Sequence, residues 1–599
     1  MKLTLFVGPP HPAADSAVAR ALATQAADGG ATAVHPFPGG VLAVAGRPGT
    51  PATALVVRAT PAGDLLAVAG TPVWRGGRVA DLLDAVERML AAGAPSAEVT
   101  ERLTSLDGHF AAALWHAAER RTVVVTDALG MQPLYVGAAA GGTIYATELR
   151  AVAAAAERAE FDPAGWGAFF YIGHPVGDRT PLAGVRRMPP ALVRVHDAAR
   201  AGSAPVDRHW WEWPAGEPLP VEEAADRIVA EMREDVAAAL REAPETTLLF
   251  SGGFDSRLIL ALIAETGARP RLLCHSHPDE NADADGRFAS AAGRVYGLEV
   301  ERVDAEPDFF AGDGYLRFLA RNEVLTPSLH LFIAQVSRLV TPELRAVWDG
   351  CLTGPLLKFS GGAVGMDAYL AKRVAPRRAA ARAAAARVLH PDWLTAMDAG
   401  FDQLVAEERA RIGDVPTASW RFQVESRARM RTGQNPFQVY ASVVPALAPG
   451  LSRGSWAAAC AVDPEDRRTL ALCYAVFRRH FPEALRVPVA SGADILNPGG
   501  GLRTTLRYHD QRVRAAVASV AQRPKVARAL GAVGVRTGFR WAPSPFPAAA
   551  VARHALPSSV VDTAALAALR PGAPSFDESA ETVFYLESWR RLMLGERLG

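Results

Sequence analysis

The sequence predicts an α/β protein in two unequal parts, a strand-rich N-terminal half and a doubly wound parallel sheet that continues into a helical C-terminal region. Three observations predict it. Up to about Trp213, short apolar runs alternate with Gly, Pro and polar turns, as in strands joined by tight connections. The segment Trp210 to Pro220, with three Trp and three Pro, interrupts every periodicity and reads as a linker. Beyond it, strands and helices alternate, which implies a parallel sheet whose ligands sit outside the carboxyl ends of the strands.

The elements follow in order. Met1 to Val7 reads as a first strand, because Pro9 and Pro10 cut its apolar run short of a signal peptide. Residues 122–126 and 143–146 are strands, and Leu82, Leu83, Val86, Met89 and Leu90 recur at helical spacing over 79–91. After the linker, Ala225, Ile228, Val229, Met232 and Val236 share one face of a helix over 221–240. Then come strand 246–250, helix 257–266, strand 271–276, helix 287–296, strand 298–304 and strand 346–348. From about Lys358 onward the text is mostly helical.

Composition excludes several classes. At 599 residues, 49% hydrophobic and 21% charged, the chain has material for more than one globular core. A net charge of +1 gives no electrostatic case for nucleic acid, and the basic run Arg373 to Arg387 reads as a solvated helix face. Four scattered cysteines form neither a CxxC pair nor a disulfide framework, which fits a reducing cytoplasm. No run approaches the roughly 20 apolar residues of a membrane span.

One hexapeptide carries chemistry. Ser251-Gly252-Gly253-Phe254-Asp255-Ser256 directly follows a strand and opens a helix, so backbone N–H groups can surround an anion where the helix dipole favours it. The glycines permit close approach, Ser251 and Ser256 offer hydroxyls, and Asp255, which repels phosphate, is useful as a magnesium ligand. The spacing is neither the Lys-bearing phosphate loop nor the dinucleotide fingerprint. It resembles the SGGxDS loop of the ATP pyrophosphatases.

Upstream blocks narrow the resemblance. Leu106-Asp107-Gly108-His109-Phe110, then Thr126-Asp127-Ala128-Leu129-Gly130-Met131, then Tyr145-Ala146-Thr147-Glu148-Leu149, resemble in order and spacing the class II glutamine amidotransferase domain of the asparagine synthetase B family. The resemblance implies a degenerate amidotransferase-like α+β sandwich over 1–213 and an ATP-pyrophosphatase synthetase domain over 221–599. It further implies ATP and Mg2+ as cofactors. Leu249, Phe250, Ser251, Gly252, Gly253, Asp255, Ser256, Ser276 and Gly350 would contact the nucleotide, with Asp255 and Asp349 as metal ligands. Arg536 and Lys525 are candidates for the catalytic cation.

Two departures redirect the reading. The family's glutaminase uses an N-terminal cysteine, whose own α-amine serves as base. Here Lys2 follows Met1 and no cysteine precedes Cys274. The family's Gly-rich acidic loop is replaced by Asp349-Gly350-Cys351-Leu352-Thr353-Gly354-Pro355, without acids at the usual places. The chain therefore resembles the glutaminase-deficient branch, lasso-peptide macrolactam cyclases and β-lactam synthetases. That branch implies a peptide or small-molecule carboxylate as substrate and, for a cyclase, a precursor peptide with leader-processing proteins as partners. A small-molecule amide synthetase, an ammonia-dependent asparagine synthetase and a noncatalytic ATP-binding scaffold remain alternatives.

Overall fold

The computed structural model describes residues 2–487 except 27–28, 47–56, 157–159, 201–202, 215–216, 277–283, 305–317, 319–321, 324–335 and 359–364, together with 520, 526, 529, 562, 564 and 565. The N-terminal part contains β1 (Lys2–Val7), α1 (Pro12–Gln25), β2 (Thr32–Phe37), β3 (Gly40–Ala45), β4 (Val57–Ala59), β5 (Leu65–Val73), α2 (Val79–Ala91) and α3 (Ser96–Leu103). It continues through β6 (Asp107–His116), β7 (Arg121–Thr126), β8 (Tyr135–Ala139), β9 (Gly142–Ala146), α4 (Leu149–Ala155), α5 (Pro163–Ile172), β10 (Arg186–Arg187), β11 (Leu192–Asp197) and β12 (Val206–His209).

Strand alternation builds a sandwich from these. One six-stranded sheet runs β10-β8-β9-β1-β3-β2 and the other β12-β11-β7-β6-β5-β4. Every pairing within them is antiparallel. Leu3, Leu5, Leu42 and Val44 of the first face Leu65, Ala67, Ala113 and Trp115 of the second in one core. The neighbouring positions point the other way, as a period of two requires. Phe6 and Val41 meet Ala14 and Val18 of α1, whereas Leu66, Phe110 and Leu114 meet Leu82, Val86 and Leu103 of α2 and α3.

The predicted helix over 79–91 is present, but α1, α3, α4 and α5 lie where only strands were expected. For α1 the reason is residue size: it buries Ala14, Ala17 and Ala21 around Val18, a face too small to register as an apolar stripe.

The second part opens with α6 (Val221–Glu242), then β13 (Thr247–Leu249), α7 (Phe254–Glu265), β14 (Arg271–Ser276), α8 (Ala284–Val295), β15 (Val300–Asp304), β16 (Val347–Trp348), α9 (Thr353–Leu357) and β17 (Ala446–Leu447). All five strands are parallel, in the order β15-β14-β13-β16-β17. α6 buries Ile228, Val229, Met232 and Val236, each worth roughly 1.5–3 kcal/mol over the exposed state. Helices at 391–412, 453–460 and 471–480 and a wide-turned stretch at 423–437 follow.

One boundary correction matters for the site. The helix expected from Arg257 begins at Phe254, so Asp255 and Ser256 belong to its first turn. The Arg373 to Arg387 run is a solvated face as expected, with Arg378 and Arg382 reaching Asp398 and Asp402. No helix among the described residues is long and apolar enough to cross a membrane.

Arginines join the two parts. Arg187 donates through Nη2 to the Gly130 carbonyl (2.7 Å) and through Nη1 to the Arg429 carbonyl (3.1 Å). Arg429, 2% exposed, donates to Asp178 Oδ1 (2.9 Å) and to the Met188 carbonyl. Arg75 and Arg453 reach Asp235 and Asp107, each at 2.6 Å. The Arg427-to-Met430 segment is thus part of this seam.

Candidate functional site: a crevice at the reversal of strand order

The chain lays β13, β14 and β15 outward in one direction, then returns to place β16 and β17 on the other side of β13. The connections leaving the carboxyl ends of β13 and β16 therefore diverge, which opens a crevice at the point where ligands of such sheets bind. Residues 250–253 leave β13 on one side, and residues 349–352 leave β16 on the other.

Gly252 fixes the shape of the first connection. Its φ is +69°, and a Cβ there would lie 2.6 Å from the Ala289 amide nitrogen in α8. Only glycine meets both conditions without displacing backbone. The first intrahelical bond of α7 runs from the Arg257 N–H to the Gly253 carbonyl (3.0 Å), so the amides of residues 254–256 precede the ladder and lie at the positive end of the helix. Ser251 is exposed beside them. Ser256 is 4% exposed and donates instead to the Gly253 carbonyl (3.2 Å), so its hydroxyl caps the turn and does not face the crevice.

The other predicted nucleotide contacts take distinct places. Phe250 donates its N–H to the Leu273 carbonyl (2.7 Å), and its ring is buried, as Leu249 is in part. Gly350 comes close: a Cβ on it would be 3.0 Å from that of Asp255. Ser276, at the end of β14, is buried, and its hydroxyl accepts from Arg302 Nε (2.9 Å) and Nη2 (2.7 Å), which commits it to the sheet. Arg536 and Lys525 lie outside the described residues.

Asp255, with a third of its side chain exposed, already has a cation beside one oxygen. Its Oδ1 is 2.7 Å from Lys358 Nζ, a partner that sequence reasoning passed over. Burial acts to lower the Lys358 ammonium's pKa, but Asp255 more than offsets it and holds the group above its ordinary value. Burial raises the Asp349 carboxyl to about 6, with the Cys351 amide opposing and Asp255 adding to the rise. No group of three or more His, Cys, Asp or Glu among the described residues converges to hold an ion. The donor set expected for magnesium, Asp255 with Asp349, would meet an ion commonly held by one or two carboxylates together with waters and phosphates, but Lys358 already stands on Asp255 Oδ1.

A second polar cleft lies on the sandwich where it meets the second part. Lys2 opens β1, with Nζ 3.0 Å from Glu148 Oε1 and donating to the Gln25 carbonyl (3.1 Å). Glu323 accepts from the Leu149 (2.8 Å) and Arg150 (2.6 Å) amides, and burial with Glu148 nearby pushes it up to about 7. A cavity of about 80 Å³ remains there, lined also by His109, Gln132 and Gln434.

Comparison with known proteins agrees with parts of this architecture. Residues 92–211 match the glutamine amidotransferase domain family. Curated relatives from Mycobacterium bovis and Mycobacterium tuberculosis, named as glutamine-hydrolysing asparagine synthetases, are 26% identical over 257 residues, 40% of this chain. The match spans only 38% of those relatives' length. A solved glutamine phosphoribosylpyrophosphate amidotransferase from B. subtilis aligns over 59% of this chain and 77% of its own at 12% identity, with a TM-score of 0.24 that carries no argument. Residues 92–211 are thus similar to glutamine amidotransferase domains, and 40% of the chain is similar to proteins named as asparagine synthetases.

Proposed function

We propose that the chain forms an amide bond by using ATP to activate a carboxylate. The carboxylate oxygen attacks the α-phosphorus of ATP and pyrophosphate leaves. An amine then attacks the acyl carbon of the adenylate, loses its proton to a base, and AMP leaves. The observation that carries this reading is the Ser251-to-Ser256 turn at the N-terminus of α7, in the crevice where strand order reverses. The amides of 254–256 and the Ser251 hydroxyl would hold pyrophosphate, while the strand ends at Leu249, Phe250 and Ser276 and the backbone of Gly350 would border the adenosine. Arg536 or Lys525 would supply the cation for the transition state.

The amine belongs to the substrate and does not come from glutamine. β1 contains no cysteine, and Lys2 is engaged by Glu148. An amine and a carboxylate in one substrate make cyclisation the natural outcome, and the long helical C-terminal region favours a peptide. Macrolactam closure of a lasso peptide, with a precursor peptide and leader-processing proteins as partners, is the reading we favour over a β-lactam-type synthetase.

The test is product analysis of the purified protein with ATP and candidate peptides. Equal amounts of AMP, pyrophosphate and a product lighter by one water support the proposal. ADP and phosphate in place of AMP would sink it, as would glutamate formed from added glutamine.

A further inference from the structure

The sequence has only four lysines, Lys2, Lys358, Lys372 and Lys525, and one of them stands in the crevice. Lys358 follows α9 directly, and its ammonium lies 2.7 Å from Asp255 Oδ1 and 5.7 Å from the centroid of the Phe254 ring. Both contacts are to the first turn of α7.

The neighbouring backbone explains why the lysine fits. A Cβ on Gly354 would lie 3.0 Å from Asp255 Oδ2 and 3.8 Å from Lys358 Cε. Any side chain there, an acid included, would occupy the space beside the Asp255–Lys358 pair. Lys358 sits on Oδ1, while the missing side chain of Gly354 leaves room beside Oδ2 and the Asp255 side chain is 33% exposed. A divalent ion at about 2.1 Å from Oδ1 would have to share that oxygen with a like charge or expel it.

We infer that the Lys358 ammonium takes the place of a divalent cation at Asp255, so that this crevice binds the phosphates of its nucleotide without a metal ion held by the protein. The inference rests on the crevice being a nucleotide site. An ammonium carries three donors, and Asp255 accepts one, which leaves donors for phosphate oxygens at the mouth of the helix. Magnesium that arrives on the nucleotide belongs to the substrate.

Calorimetric titration of the full chain with inorganic pyrophosphate and with ATP, in excess EDTA and in millimolar magnesium, tests it. The wild type, Lys358→Met and Lys358→Arg are compared, with melting curves to confirm folding. Wild type in EDTA should bind pyrophosphate within about threefold of its affinity in magnesium, and Lys358→Met should lose about tenfold or more in EDTA, the worth of one charge-assisted contact. Lys358→Arg should keep most of the binding. Wild-type binding that requires magnesium would overturn the inference while leaving the nucleotide site standing, as would a Lys358→Met protein that binds normally in EDTA. Binding of neither ligand under either condition would overturn the nucleotide reading and this inference with it. Should Lys358→Met fail to fold, the wild-type comparison and Lys358→Arg still decide.

Discussion

Two polar clefts lie in this chain, and they differ in how their hydrogen-bonding groups are used. In the sandwich cleft the charges answer one another: Lys2 pairs with Glu148, and Glu323 accepts two backbone amides. In the crevice between β13 and β16, the first-turn amides of α7 precede the helical ladder and Ser251 is exposed beside them. The first arrangement engages Lys2 and Glu323, although Glu148 Oε2 stays buried without a hydrogen-bond partner. The second leaves backbone donors ahead of the helical ladder, which is the feature the nucleotide proposal rests on. Polarity alone thus does not distinguish the two clefts.

Substitutions at the seam, in the core and at the clefts sharpen this contrast. The largest effect is expected at the seam. Arg429→Met removes a buried guanidinium that holds Asp178 and the Met188 carbonyl, and should cost about 3–5 kcal/mol in denaturant unfolding. A loss below about 1 kcal/mol, the range of an exposed ion pair, would show that this contact does not hold the seam.

Next comes His174, buried and neutral, with Nδ1 donating to the Pro175 carbonyl (2.8 Å). Burial, with Arg427 and Arg431 nearby, lowers its pKa from 6.5 to about 3. The unfolded chain therefore takes up the proton first, and the stability due to this group is complete above pH 6.5 and lost as pH falls toward 3. Unfolding free energy should drop by about 2–4 kcal/mol over that range in the wild type and by less in His174→Asn. Identical pH slopes in the two proteins would contradict the assignment.

The smallest effect is expected in the sandwich cleft. Lys2→Met leaves the largely buried Glu148 without its cation and should cost about 1–3 kcal/mol. Nucleotide binding and AMP formation should not change. A variant that loses AMP formation while melting normally would mean that the sandwich cleft still acts.

The strand and helix sequence of the second part was legible because β13, β14 and β16 each hold a short apolar run and α6 carries an apolar stripe. The turn at 251–256 was legible for the same reason: its glycines sit between a strand and a helix. The helix α1 was not, since alanines bury a face without announcing it. Nor was the partner of Asp255. Lys358 lies 103 residues away in sequence on the far side of the strand reversal, and only the pairing of β13 with β16 brings it to the turn. The same holds for Ser276, whose hydroxyl is claimed by Arg302 across a parallel register no local pattern reveals.

The central claim, that the 251–256 turn holds nucleotide phosphates, is tested most directly by titrating ATP into the wild type, Gly252→Ala and Lys2→Met. A methyl at position 252 would meet α8 backbone at 2.6 Å in a left-handed conformation, so Gly252→Ala should lose about tenfold or more in affinity and roughly 1–2 kcal/mol in stability. Lys2→Met should bind as the wild type does. Equal affinity in all three proteins, or loss of binding in Lys2→Met alone, would contradict the account.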